Sequence, residues 1–277
     1  MSILISTTMY NSSNFKNALH FVDKYNGKVG LEIFPRFDEP EFENVLKECV
    51  PILKKIPISF HEPAFEIEHT ADYDTTEYRR TMHRLSSMIK YGSVLGCEYI
   101  VYHHNNKAVP DNDKAEALKI SQDNLHEVSQ LLLPYGIPVA IENAGTLSHH
   151  TMLLNEKEFI ALCKESVCNV VIDLGHINTN GWNLRNVIGS LKNKIISYHL
   201  HNNYGENDEH NRITDGSLDF NEFMKYYLEY TPNAHLVLEY NKSFADKEDE
   251  ICQDIDYLLN IKEKGLRNKN FTTFGTY

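Results

Sequence analysis

The feature that most constrains this chain is an alternation, repeated eight times, of a short apolar run and a longer amphipathic stretch. The runs occupy residues 2–6, 29–34, 57–61, 98–103, 137–142, 169–173, 195–200 and 235–239 and are rich in Val and Ile. Most lack polar–apolar alternation, the pattern of parallel strands buried on both faces. Between them, apolar residues fall at helical spacing. Tyr78, Met82, Leu85 and Ile89 share one face, as do Leu118, Leu125, Val128 and Leu132, and Ile251, Ile255 and Leu258 near the end. Eight strand–helix units in 277 residues predict a parallel sheet closed on itself. That is a (β/α)8 TIM barrel, an α/β single domain over residues 1–265 and close to the roughly 250 residues such barrels need. An open doubly wound sheet is the alternative, but the chain has no G-x-G-x-x-G or G-x-x-x-x-G-K motif to support one.

Local signals agree with this division. Asp74-x-x-Glu77, Asn155-x-x-Glu158 and Asp219-x-x-Glu222 read as capping-box pairs at helix starts, and Gly136 and Gly265 as helix C-termini. Residues 266–277, with Phe271, Phe274 and Tyr277, read as a C-terminal aromatic tail, either packed on the surface or on a second subunit, compatible with a homodimer, or disordered.

Hydrophobic residues at 42% and charged residues at 24% exclude long disordered stretches. A net charge of −12 argues against a general nucleic-acid binder, which carries a basic stripe. No apolar run approaches the ~20 residues of a membrane span, and the N-terminus lacks the pattern of a signal peptide. Five cysteines, odd in number and without C-x-x-C, read as reduced thiols of a cytoplasmic protein. The 14 histidines stand out, because several close apolar runs.

In a barrel of this kind the active site is built at the C-terminal ends of the strands. Six consecutive runs end in His61, His103, Glu142, Asp173, His199 and Glu239. Burying such groups without partners is costly, and carboxylates and imidazoles converging on one mouth are the usual ligands of a divalent metal. His176 follows Asp173 by three residues, and Asp208 and His210 in the next loop extend the set. His104 and His201 read equally as ligands or as residues that support the ligands from behind. His20, His83, His126, His149 and His150 read as surface or packing residues. Glu32, inside Leu31-Glu32-Ile33-Phe34, reads as a carboxylate facing the barrel interior and contributing to substrate binding.

Ile141-Glu142-Asn143, Ile172-Asp173-Leu174-Gly175-His176, His199-Leu200-His201-Asn202, Asp208-Glu209-His210 leading to Gly216, and Leu238-Glu239 together resemble the xylose-isomerase-like TIM barrel superfamily. That group holds sugar phosphate isomerase/epimerase and endonuclease IV-type proteins. The resemblance implies a metal-binding quartet of Glu142, Asp173, His199 and Glu239. It implies further ligands at His61, His103, His176, Asp208 and His210 where more than one ion is held. The chain departs from the endonuclease pattern at His201-Asn202-Asn203 and at Ala144-Gly145-Thr146.

Two mechanisms follow from the resemblance. In the first, a divalent ion (Zn2+ or Mn2+, with Mg2+ as a further choice) binds a small sugar-like substrate. Glu142 and Glu239 then exchange a carbon-bound proton, and His176 orients a hydroxyl, making a metal-dependent isomerase or epimerase. In the second, two or three zinc ions share the nine ligands and hydrolyse a phosphodiester at abasic sites in DNA, with Arg36, Lys107, Arg185 and Arg212 as candidate phosphate contacts. A third reading is a sugar-binding barrel that has lost its activity.

Overall fold

All eight apolar runs form strands in the computed structural model, which describes the backbone of residues 2–272 and the side chains of residues 2–261. The strands are β1 (Ile3–Ser6), β2 (Val29–Ile33), β3 (Ile58–Phe60), β4 (Ile100–Tyr102), β5 (Val139–Glu142), β6 (Asn169–Asp173), β7 (Ile195–Leu200) and β8 (His235–Leu238). Each pairs in parallel with its sequence neighbour, and β8 pairs with β1 to close the barrel. The α-helices are α1 (Leu19–Lys24), α2 (Phe42–Leu53), α3 (Thr76–Leu95), α4 (Lys114–Leu132), α5 (Glu156–Glu165), α6 (Leu174–Thr179), α7 (Leu184–Leu191), α8 (Phe220–Tyr230) and α9 (Glu248–Thr272). The protein is therefore a single-domain TIM barrel, as the alternation predicts.

Period two along the strands divides the core. Ile33, Phe60, Ile100, Ile141, Ile172 and Leu238 belong to the large apolar layer shared with the helices, whereas Tyr99, Val101, Ala140 and Val171 form a separate small cluster. Two residues further along, the second face carries His103, Glu142 and Asp173, one layer nearer the mouth. The same step leads from Ser59 to His61, from Ser197 to His199 and from Val237 to Glu239. A register shift between β6 and β7 leaves Ile196 without a partner and sets Asp173 beside His199.

Helix starts follow the sequence in part. Asn155 forms a complete capping box with Glu158, and Asp219 caps α8. At α3 the cap is Thr75, whose hydroxyl accepts from the Tyr78 N–H, rather than Asp74. Gly136 closes its helical turn in the left-handed region (φ 66°). Gly265 does not end a helix, because α9 continues past it. Phe274 and Tyr277 lie outside the described residues, as does the side chain of Phe271. Among the described residues, no helix is long and apolar enough to cross a membrane. All five cysteines are free and buried.

Candidate metal centre and active site

The strand ends deliver their side chains to one point. Oε2 of Glu142 lies 3.0 Å from His103 Nε2, 3.6 Å from His61 Nε2 and 3.3 Å from His199 Nδ1. Its other oxygen lies 3.4 Å from His176 Nδ1. His199 Nδ1 is also 3.1 Å from Glu239 Oε2 and 3.8 Å from Asp173 Oδ2. Asp208 Oδ2 bridges the Nε2 atoms of His176 and His210 at 3.3 and 3.1 Å. All nine residues singled out by the sequence thus meet at the mouth. The donor atoms of Glu142, Asp173 and His199 lie within 4.8 Å of one another, as do those of His61, His103 and Glu142, and of His61, His199 and Glu239.

Several rings are pinned from behind. His61 Nδ1 faces the Glu62 carbonyl at 2.7 Å and His210 Nδ1 the Glu239 carbonyl at 3.2 Å. A carbonyl only accepts, so both Nδ1 atoms carry a proton and both Nε2 atoms are the ones turned inward. Asp173 caps α6 by accepting the His176 N–H through Oδ1 (2.7 Å), which places His176 at the rim. Its Oδ2 meets His201 Nε2 at 2.8 Å, and the His201 ring stacks on His210 with centroids 3.8 Å apart. Thr8 donates its hydroxyl to Glu239 Oε1 (3.0 Å).

Electrostatics bind the cluster together. Burial alone would raise the Glu142 carboxyl, yet His199 and His103 hold it well below the usual carboxylate range. Against the same pull of burial, His210 and His176 hold Asp208 well below it, and His199 holds Glu239 below it. Burial disfavours charge on the imidazoles, but Asp173 and Asp208 raise His176, and Glu32 and Glu239 raise His199, well above ordinary histidine.

The donor set fits a divalent cation. Four carboxylates and five imidazoles crowd one rim, and the buried atoms His176 Nδ1, His199 Nδ1 and Asp208 Oδ1 have no well-aligned hydrogen-bond partner in the protein. Native interiors rarely leave such atoms unsatisfied. A cation held there would supply the missing partner.

A cavity of about 250 Å³ opens above this cluster, lined by Glu142, Glu239, His61, His103, His176, Asp208 and His210, with Thr8, Asn105, Asn106 and Thr151 around them. Phe34 and Phe65 give it an apolar wall, their rings 5.3 Å apart. Among the described residues no lysine or arginine lines it.

The structure corrects several assignments. Glu32 does face the barrel interior, but it sits beneath His199, with Oε1 2.8 Å from Nε2, and does not reach the cavity. His149 is exposed, in keeping with its reading as a surface residue, and also lines the rim of the cavity. The four candidate phosphate contacts are engaged elsewhere. Arg36 donates to the carbonyls of Thr8 and Tyr10, Lys107 pairs with Glu77, Arg185 lies over the Tyr226 ring, and Arg212 is held by Asp254 and Glu250. Sequence reasoning missed Glu62, His69 and Asn106, which pack behind His103. The one signal available was Glu62 directly after His61.

Comparison with known proteins agrees with this architecture. The profile of the xylose isomerase-like TIM barrel family matches residues 27–261. The uncharacterized protein MJ1311 of Methanocaldococcus jannaschii is 26% identical over 255 residues, covering 88% of this chain and 79% of its own length. Among solved structures, a D-tagatose 3-epimerase-like protein superposes with a TM-score of 0.73 at 21% identity, covering 95% of this chain and 99% of that one. The IOLI protein, solved with a binding zinc atom, gives 0.70 at 19% identity over the same shares of the two chains. With the family profile spanning seven of the eight strands, this chain belongs to the xylose isomerase-like TIM barrel family.

Proposed function

We propose that the protein is a metal-dependent isomerase or epimerase of a small sugar-like substrate, acting by proton transfer between Glu142 and Glu239. The observation that carries this reading is the pair of carboxylates beside His199. Their Oε2 atoms lie 3.3 and 3.1 Å from its Nδ1, and both residues line the same cavity. Both carboxyls are held below the usual range despite burial, so each is ionised at neutral pH and able to take a proton from carbon. One removes the proton, and the other, once it has taken a proton from solvent, returns one to carbon, work of roughly 10²–10⁴ in rate. Thr8 fixes Glu239 through Oε1, and His176, beside Glu142 at the rim, orients a substrate hydroxyl. When bound to Glu142, Asp173, His199 and Glu239, a divalent ion (zinc or manganese, with magnesium a further choice) supplies Lewis-acid polarisation of the substrate carbonyl. The cavity is smaller than the roughly 300–1,000 Å³ of drug-sized sites, which supports a small substrate. Five unpaired thiols support a cytoplasmic setting.

A second reading, hydrolysis of DNA at abasic sites by two or three zinc ions, is favoured by the completeness of the donor set beyond the central quartet. The lack of cations along the cavity speaks against it, because DNA binding rests on phosphate neutralisation. Incubating zinc- or manganese-loaded protein with ketoses in D2O tests the first reading. Deuterium enters the carbon next to the carbonyl, and Glu142→Gln abolishes the exchange. Incision of an abasic duplex without exchange, lost in the same variant, establishes the second reading instead.

A further inference from the structure

We propose that Asn106 is a positioning residue for the metal centre: it fixes which nitrogen of His103 carries the proton, and the buried carboxylate of Glu62 fixes Asn106 in turn. The proposal rests on reading the mouth as a metal centre, and extends it to residues that do not touch the ion.

Glu62 is fully buried and does not line the cavity. Its Oε1 accepts from Asn106 Nδ2 (2.8 Å), and its Oε2 accepts from the His103 backbone N–H (3.2 Å) and meets His69 Nε2 at 2.9 Å. Asn106 Nδ2 also donates to the Ile67 carbonyl (3.2 Å), and the Asn106 backbone N–H donates to Glu68 Oε2 (3.1 Å). Turning the Asn106 amide over aims its oxygen at a carboxylate and a carbonyl, two contacts between acceptors with no hydrogen between them. Asn106 is half-buried, but the Glu62 carboxylate it would face is fully buried, and each such contact is comparable to an unmade hydrogen bond. The amide therefore has one orientation, and its Oδ1 faces His103 Nδ1 at 2.9 Å. An amide oxygen brings no proton, so Nδ1 must. Nε2, 3.0 Å from Glu142 Oε2, is left as the nitrogen turned to the ion. Backbone carbonyls perform this service for His61 and His210. His103 alone of the three depends on a side chain, which has to be held in turn.

The test uses the full chain labelled with 15N-histidine, once loaded with zinc(II) and once stripped of metal. Long-range 1H–15N spectra show which His103 nitrogen is protonated, with its signals assigned by their loss in His103→Gln. Competition with a chromophoric chelator gives the affinity for zinc(II), and thermal melting confirms folding. The wild-type spectrum is expected to show a hydrogen-bonded proton on Nδ1. Asn106→Leu is expected to lose that hydrogen bond and to weaken zinc binding roughly 10–100-fold. The double variant Glu62→Gln, Asn106→Asp exchanges amide and carboxylate. The glutamine amide at 62 then donates to the aspartate at 106, which still accepts from His103 but turns an oxygen to the Ile67 carbonyl, so the Nδ1 proton is expected to return and the affinity in part. A wild-type Nδ1 without a proton overturns the proposal. So does a folded Asn106→Leu protein that binds zinc as the wild type does, or a folded double variant in which the Nδ1 proton does not return. A wild-type chain that binds no zinc overturns the metal-centre reading separately, and the Nδ1 proton still decides the role of Asn106.

Discussion

Nε2 of His103 stands 3.0 Å from Oε2 of Glu142, and the pair ties the stability of the metal-free barrel to pH. Burial opposes charge on the ring, but Glu142 and Glu62 raise His103 to about 9. Asp208 likewise overcomes burial and raises His210 to about 9. An unfolded histidine titrates near ~6.5. A group raised by folding stabilises fully below its unfolded value, and that stabilisation is lost as pH climbs through the folded value. Chelator-stripped protein is therefore expected to lose stability between about pH 6.5 and about pH 9, read from urea melts across that range. A stability that rises over the same interval contradicts the pairing.

Glu32 lies under the centre rather than in it. Its Oε1 is 2.8 Å from His199 Nε2, while Oε2 accepts the hydroxyls of Ser59 (2.8 Å) and Tyr99 (3.1 Å). A carboxylate behind a metal-binding imidazole sets ring orientation and basicity. Glu32→Gln is expected to keep the fold, since an amide oxygen still accepts from Ser59 or Tyr99, and to weaken zinc binding roughly 10–100-fold. Unchanged affinity by chelator competition contradicts a role for Glu32 in presenting His199.

Gly175 has no room for a side chain. A Cβ there stands 1.9 Å from Cε1 of His201, which is buried, bonded to Asp173 and stacked on His210. The ring has nowhere to retreat. Gly175→Ala is expected to destabilise the protein by about 1–3 kcal/mol through overpacking, and to disturb Asp173 through His201. Urea midpoints measure this, and a change within experimental error contradicts the close approach.

The barrel was legible because strands buried on both faces leave unbroken apolar runs, and the rim because period two carries His103, Glu142 and Asp173 onto the same face as Val101, Ala140 and Val171. No such rule reaches the groups behind the rim. Glu62, His69 and Asn106 sit in loops, where the backbone has no fixed period, and their contacts with one another and with His103 span up to 44 positions in sequence. Glu32 was legible as a buried carboxylate but not by depth, since facing inward does not say whether a side chain reaches the mouth. At α3, adjacent Asp74 and Thr75 both suit a cap, and Asp74 takes a left-handed φ of 63°, leaving the role to Thr75. The helical pattern of Ile251, Ile255 and Leu258 located α9 but not its end, because glycine at 265 permits a stop without imposing one.

Anomalous diffraction at the zinc edge, from crystals grown with zinc(II), interrogates the heart of the account in one data set. A peak bonded to Glu142, Asp173, His199 and Glu239 is the expected result, and any further peaks fall beside His61 and His103 or beside Asp208 and His210. A barrel mouth with no anomalous density, its imidazoles and carboxylates still paired only with one another, contradicts it.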